Sequence, residues 1–431
     1  MSHRRLAVWL VLLTCTALVP TTPLSARPTT ASQTIVVTTT AEFLAALAAN
    51  AGETIFLQRG TYLLDQAIQV PDHTALVGEG EMLFDASGLP AGFLPETRTV
   101  IAAMPGVSGD FVSLGDGASL QGLVIQDVTR PGLIGGGVVT VQSRAPGDAV
   151  SVRIVECEII NPNSQVGGPA GPAGRALLVI TRNPHFIPSG APPHEQSRLS
   201  VALAHSITRA PAGGGGVFGL NNAGGSQIDL QLHQNVLGGL FNVAAGASRP
   251  DSVTGATLRV QSNGNLYRSD VAGATAPGWN LQGGADSNLA GAEETRNNAL
   301  WVHSVDDRLE GFSQGIFAAA GRRNFAPSAP SSSNELDLIL HGTRVTSTGA
   351  DFVFRGASSI VAGTAAGDNN VMRVVMRHVI GSGPRANDYI NSTANLGIGN
   401  QLLFTGTLNA FSRTNEAILP MPGAQFFTAE R

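Results

Sequence analysis

One eight-residue shape recurs seven times in this chain: three apolar residues in alternation, two variable residues, then a close that is often small or polar. It reads VSVRIVEC from Val150, LSVALAHS from Leu199, IDLQLHQN from Ile228 and ATLRVQSN from Ala256. It continues as NALWVHSV from Asn298, LDLILHGT from Leu336 and MRVVMRHV from Met372. Alternation at period two marks a strand with one buried face. The units start 28 to 49 residues apart, and most intervals hold a second short strand such as ALLVI, GVFGL, GLFNV or DFVFRG. Strand units returning along one chain identify a solenoid, in which each coil buries its apolar face against the next. The closing column reads Cys157, Ser206, Asn235, Asn263, Val305, Thr343 and Val379. Small and amide side chains there suit an inward corner where like residues stack.

The stretch from Gly52 to Gly88 begins the same spiral. Ile55 and Leu57, Tyr62 and Leu64, then Ile68 and Val70 alternate. The corners between them are too short for a helical crossover and lack the Asn-Gly or Asp-Gly signal of a tight hairpin. Pro-, Gly- and Ser-rich insertions such as RNPHFIPSGAPPHEQS and APSAPSSSN explain the uneven spacing as loops extruded from corners. A propeller needs four antiparallel strands in each blade, which two-strand intervals do not supply. The open end of a spiral exposes unpaired backbone. Thr39 and Glu42 have capping-box spacing, Phe43, Leu44 and Leu47 share a helical face, and Gly52 marks a stop. The expected fold is therefore an all-β, single-stranded parallel β-helix. Residues 27–53 hold a capping helix, 54–410 form the β-helix and 411–431 are a tail or cap.

Ahead of it, Arg4 and Arg5 precede an apolar stretch with a small-residue exit at Ser25 and Ala26, the pattern of a secretory signal over residues 1–26. Lipid attachment at Cys15 is the alternative, although Thr14 is bulkier than the small residue such processing prefers. No later run reaches membrane-spanning length, so the mature chain is expected to be secreted. Only Cys157 then remains, so a monomer has no internal disulfide. All 26 basic residues are arginine, which excludes a lysine base, a Schiff base and a phosphate-loop lysine. The net charge of -5, without a basic stripe, argues against nucleic acid as a partner.

From Thr38 to Gly80 a capping helix, AGETIFLQRGTYLL and TALVGEG follow one another in the order usual for secreted members of the pectin-lyase-like superfamily, which the chain resembles. By repeat shape the likeness extends to about residue 410. It implies a right-handed helix of coils, often with carbohydrate-active chemistry on one outer face. Lyases of this architecture hold calcium with acidic side chains and use an arginine or lysine to remove a proton beside a uronate carboxylate. Calcium is the cofactor implied if the chain is such a lyase.

Outward positions of successive units carry Asp229, Arg259, Trp301, Asp337 and Arg373, a candidate polysaccharide stripe with Trp301 as its aromatic platform. The four charged residues are catalytic candidates, as are Asp306 and Asp307 in LWVHSVDDRLEG. That segment resembles a tryptophan, histidine and aspartate motif of pectate lyases, but in another order and spacing, so no role is carried over. RAPAGG at Arg209 lacks the second arginine of the lyase motif, and the Gly-His-Gly and Arg-Ile-Lys motifs of polygalacturonases are missing. His205, His233, His303, His341 and His378 all lie near the closes of their units. Of these, His303, His341 and His378 are expected to be contiguous, as a hydrogen-bonded edge or as metal ligands. The expected function is polysaccharide binding with lyase-like cleavage if the chain is catalytic. The alternatives are a non-catalytic surface or adhesion spacer and a glycoside hydrolase.

Overall fold

The computed structural model describes residues 34–408 and 417–418, apart from 108, 129–135, 163–173, 182–194, 211–214, 248–251, 270–276, 286–293, 324–329, 360–366, 385–387 and 391–397. Side chains of 388–390, 406–408 and 417–418 are also outside the description. The chain divides into two units, Met1–Ser32 and Gln33–Arg431. The expected secretory signal, with Cys15, lies outside the described residues, as does most of the two long insertions.

Within the second unit each coil adds one strand to each of three parallel sheets. Sheet A runs from Thr34–Val37 and Thr54–Leu57 through Ala149–Val155, Arg198–Ala204, Gln227–His233, Thr257–Asn263, Ala299–Val305 and Glu335–His341 to Val371–Gly381 and Gln401–Leu408. Sheet B begins at Gly60–Leu64 and includes Glu158–Ile160, Leu266–Arg268 and Arg308–Phe312. Sheet C has 11 strands, among them Ile68–Val70, Arg175–Ile180, Pro277–Ala285 and Gln314–Arg323. This is the parallel β-helix that the repeats predict. Inward side chains from all three sheets form one continuous core, in which Phe241, Tyr267 and Trp279 meet with ring centroids 5.0–5.6 Å apart.

The register corrects two of the seven units. Ile228 pairs with Leu258 and Leu258 with Leu300, so the fourth and fifth units begin two residues later than the alternation implies. Their closing residues are Asn265 and Asp307, both buried, rather than Asn263 and Val305. A slip of two keeps every side chain on its own face, so alternation cannot detect it. Sheet A joins sheet B through a two-residue corner whose first residue is left-handed: Glu156, His205, Gln234, Asp306 and His378 have φ of 49–53°, while Gly264 and Gly342 have 64°. The second residue points inward. The entry to sheet A repeats the device, with left-handed Asn297, Ser333 and Asn369 preceding the buried Asn298, Asn334 and Asn370.

Those buried amides form two ladders. At one corner Asn235 donates through its side chain to Asn265 Oδ1 (2.8 Å), and Asn265 to Asp307 Oδ1 (3.1 Å). At the other, Asn298 donates to Asn334 (2.9 Å), Asn334 to Asn370 (3.2 Å) and Asn370 to Asn400 (2.9 Å). Each acceptor oxygen also takes the backbone N–H of the residue one coil earlier. The amides thereby satisfy backbone groups that corners would otherwise leave unpaired in the core.

The expected capping helix spans Thr40–Ala49, with both halves of the Thr39/Glu42 capping box formed and Phe43 and Leu47 buried over the first coil. Thr39→Ala is expected to lower the opening free energy of this helix by about 1 kcal/mol. The check is faster amide exchange confined to Thr40–Ala49. Two boundaries differ from expectation, and one coil carries a hairpin. The ladder starts at Thr34, before the helix, because Thr34–Val37 pairs with Thr54–Leu57. Parallel pairing reaches Ala417–Ile418, inside the expected tail. An antiparallel hairpin, Met82–Phe84 with Pro90–Phe93, lies within one coil, and its Met82, Leu89 and Phe93 pack on Val124, Ile207 and Val236 of sheet B.

Candidate functional site

Strand pairing brings the five stripe residues together. Asp229 pairs with Arg259, Arg259 with Trp301, Trp301 with Asp337 and Asp337 with Arg373, in one unbroken row on the outer face of sheet A. Five rungs at strand spacing extend about 19 Å. They are in line because the slip of two makes Arg259 and Trp301 the second residues of their units, as Asp229, Asp337 and Arg373 are of theirs, and being even it leaves the outward set outward. The row is locally fixed: the Arg259 guanidinium lies over the Trp301 ring, 4.9 Å from its centroid, and Gln227 Nε2 donates to Asp229 Oδ2 at 2.5 Å. Arg373 donates to Asp337 at 3.0 Å and to Glu335 at 3.2 Å.

These contacts decide what the row can do chemically. The Asp337 carboxylate, helped by Glu335, raises the Arg373 pKa above its ordinary value and holds the guanidinium protonated. That is opposite to what a proton-abstracting base requires. Arg259 has no carboxylate partner among the described residues and presents a planar cation on an aromatic face. Such a surface suits stacking and hydrogen bonding to a hydroxyl-rich ligand.

Asp306 and Asp307 diverge. Asp306 is exposed at the left-handed corner, whereas Asp307 is fully buried, bonded to Asn265 and to Ser304 Oγ at 2.7 Å. Burial raises the Asp307 carboxyl to about 6. With one carboxylate inside and the other outside, the pair does not form the two-carboxylate arrangement of a glycosidase. The row expected of His303, His341 and His378 is also not formed. His303 pairs with Ile339, while His341 pairs with Arg377 and its ring lies 5.7 Å from that of His378. His303 belongs to a unit that starts two residues later than its alternation indicates, and this moves it out of the corner. No group of three or more His, Cys, Asp or Glu side chains suited to a metal occurs among the described residues.

A second polar surface was not anticipated. On the outer face of sheet C, Asn280 donates to Asn242 (2.9 Å), Arg322 donates to Asn280 (2.6 Å), and the Arg322 guanidinium lies 4.5 Å from the Phe317 ring centroid. The corner from sheet A to sheet B keeps two residues in these coils, so the insertions all border sheet C. The signal for this surface lay in the outward positions of the second strands.

No family model matches the chain and no curated protein matches it. Among solved structures it is similar to the catalytic unit of a thermostable GH87 α-1,3-glucanase from Streptomyces thermodiastaticus, at 12% identity over 86% of this chain and 68% of that one, with a TM-score of 0.24. A likeness at that level carries no functional conclusion, and the fold rests on the strand ladders themselves.

Proposed function

We propose that the chain is exported and binds a polysaccharide along the outer face of sheet A, over the row from Asp229 to Arg373. The observation that carries this reading is the contiguity of the row: a planar cation–aromatic pair at Arg259 and Trp301, flanked by carboxylates and a second arginine on successive rungs. An extended glycan lies naturally along a flat parallel face, its rings against the aromatic pair and its hydroxyls on the charged side chains. The salt-bridged state of Arg373 favours binding over proton abstraction at this row. Export is supported by the charged and apolar pattern of residues 1–26.

Affinity electrophoresis through gels containing neutral or uronate polysaccharides tests the proposal. Retardation of the wild type by at least one polymer is expected, with binding weakened about tenfold, or about 1.4 kcal/mol, in Trp301→Ala and Arg259→Ala. Unaltered retardation in both variants, or none with any polymer, would sink it. Unsaturated-product absorbance from uronate polymers, with and without calcium, tests lyase cleavage separately.

A further inference from the structure

The corner between sheets A and B holds a pair of imidazoles that the polysaccharide reading does not use. His205 and His233 lie on neighbouring coils with ring centroids 5.4 Å apart. Their backbones are locked together, since His205 N–H donates to the His233 carbonyl at 3.0 Å and His205 is fixed in the left-handed conformation at φ 50°. Phe84, from the hairpin on sheet B, packs edge-on against the His205 ring at 5.7 Å. The Nδ1 atom of His205 is buried and makes no hydrogen bond. A buried imidazole nitrogen without a partner costs about 1–3 kcal/mol, whichever tautomer is present.

We propose that His205 and His233 form a two-imidazole site for a divalent transition-metal ion. Imidazole suits zinc, copper and nickel. An ion about 2.0–2.1 Å from one nitrogen of each ring places the ring centroids roughly 5–6 Å apart, which the observed spacing already meets. The strand ladder sets the backbone separation of the two residues before any ion arrives. Solvent completes the coordination on the exposed His233 side. The metal would tie two successive coils together beneath the hairpin. The pair at His341 and His378, with ring centroids 5.7 Å apart at a later corner, serves as an internal comparison.

The test is calorimetric titration of zinc, nickel and copper chlorides into the full chain, with any affinity tag removed. His205→Asn retains a residue tolerant of the left-handed corner, and His233→Gln changes an exposed strand position; circular dichroism checks that both remain folded. One-site binding is expected, weakened about tenfold or more by either change, since loss of an outer-shell partner alone costs about 10–100-fold. His341→Gln should leave it intact, and copper-loaded protein should show splitting from two nitrogens by electron paramagnetic resonance. No binding of any of the three ions, equal affinity in the double variant, or loss in His341→Gln instead would overturn the proposal.

Discussion

Asn334→Ala is expected to destabilise the β-helix by about 4 kcal/mol, although the residue touches no candidate ligand surface. Its Oδ1 accepts from both the backbone and the side chain of Asn298 (3.1 and 2.9 Å), and its Nδ2 reaches Ser331 Oγ, Asn370 Oδ1 and the Thr295 carbonyl. Alanine strands two Asn298 donors in a fully buried corner, at about 1–3 kcal/mol each, and leaves a void where the amide stood. The void cannot be filled cheaply from the facing strand. Gly284 lies so close that a Cβ there would come within 2.5 Å of the Asn334 amide, so the opposite wall is backbone. Urea unfolding gives the magnitude, and amide exchange gives the location: Ala299–Val305 and Glu335–His341 should lose protection first. A loss below about 1 kcal/mol would show that water replaces the amide, and the ladder would then be a consequence of the fold rather than one of its supports.

Much of this fold was legible because a parallel β-helix writes its period into the chain. Alternation gave the strands, their recurrence gave the coils, and Thr39 with Glu42 gave the helix that covers the end. Alternation encodes which face a residue takes but not a slip of register by two. Asn263 and Val305 took the places of Asn265 and Asp307 for that reason alone, and with them went the meaning of the corner. The left-handed φ at Gln234, Asp306 and His378 is the missing information: polar residues and glycine gather at these corners because the backbone demands them. That demand also explains why His205 and His378 stand at corners, whereas His303 lies on a strand. The five-residue stripe survived the slip because parity survived it. The sheet C cluster around Arg322 had its signal in the outward positions of the second strands, but the pairing that brings Asn242, Asn280 and Phe317 into one row is not written in any single strand.

Asp307→Asn is expected to stabilise the protein by about 3 kcal/mol at pH 8 and to leave it little changed at pH 4. Asp307 occupies a ladder position that asparagine fills one and two coils earlier, at Asn265 and Asn235. Its Oδ1 accepts from Asn265 N and Nδ2, and its Oδ2 accepts from Ser304 Oγ, which in turn bonds Thr343 Oγ1 at 2.9 Å. No cation is among these partners, so burial dominates and raises the carboxyl from the ordinary 3.8 to about 6. Below pH 4 both folded and unfolded chains carry the proton and nothing is lost. Between pH 4 and 6 the unfolded chain releases its proton while the folded chain keeps it, so stability falls as pH rises. Above pH 6 the full difference, about 1.4 kcal/mol per pH unit between the two values, has been lost. Asparagine keeps the Oδ1 acceptor and turns Oδ2 into a donor, which the Ser304 hydroxyl accommodates by accepting and donating onward to Thr343. The variant therefore carries no charge to bury at any pH. The measurement is the difference in urea unfolding free energy between variant and wild type at pH 4, 6 and 8, which cancels every other titrating group common to both chains. A difference that grows with pH supports the buried carboxyl as a pH-dependent weakness of the central coils. A constant difference, or a variant less stable than wild type at pH 8, would mean that the ladder needs an anion at this rung.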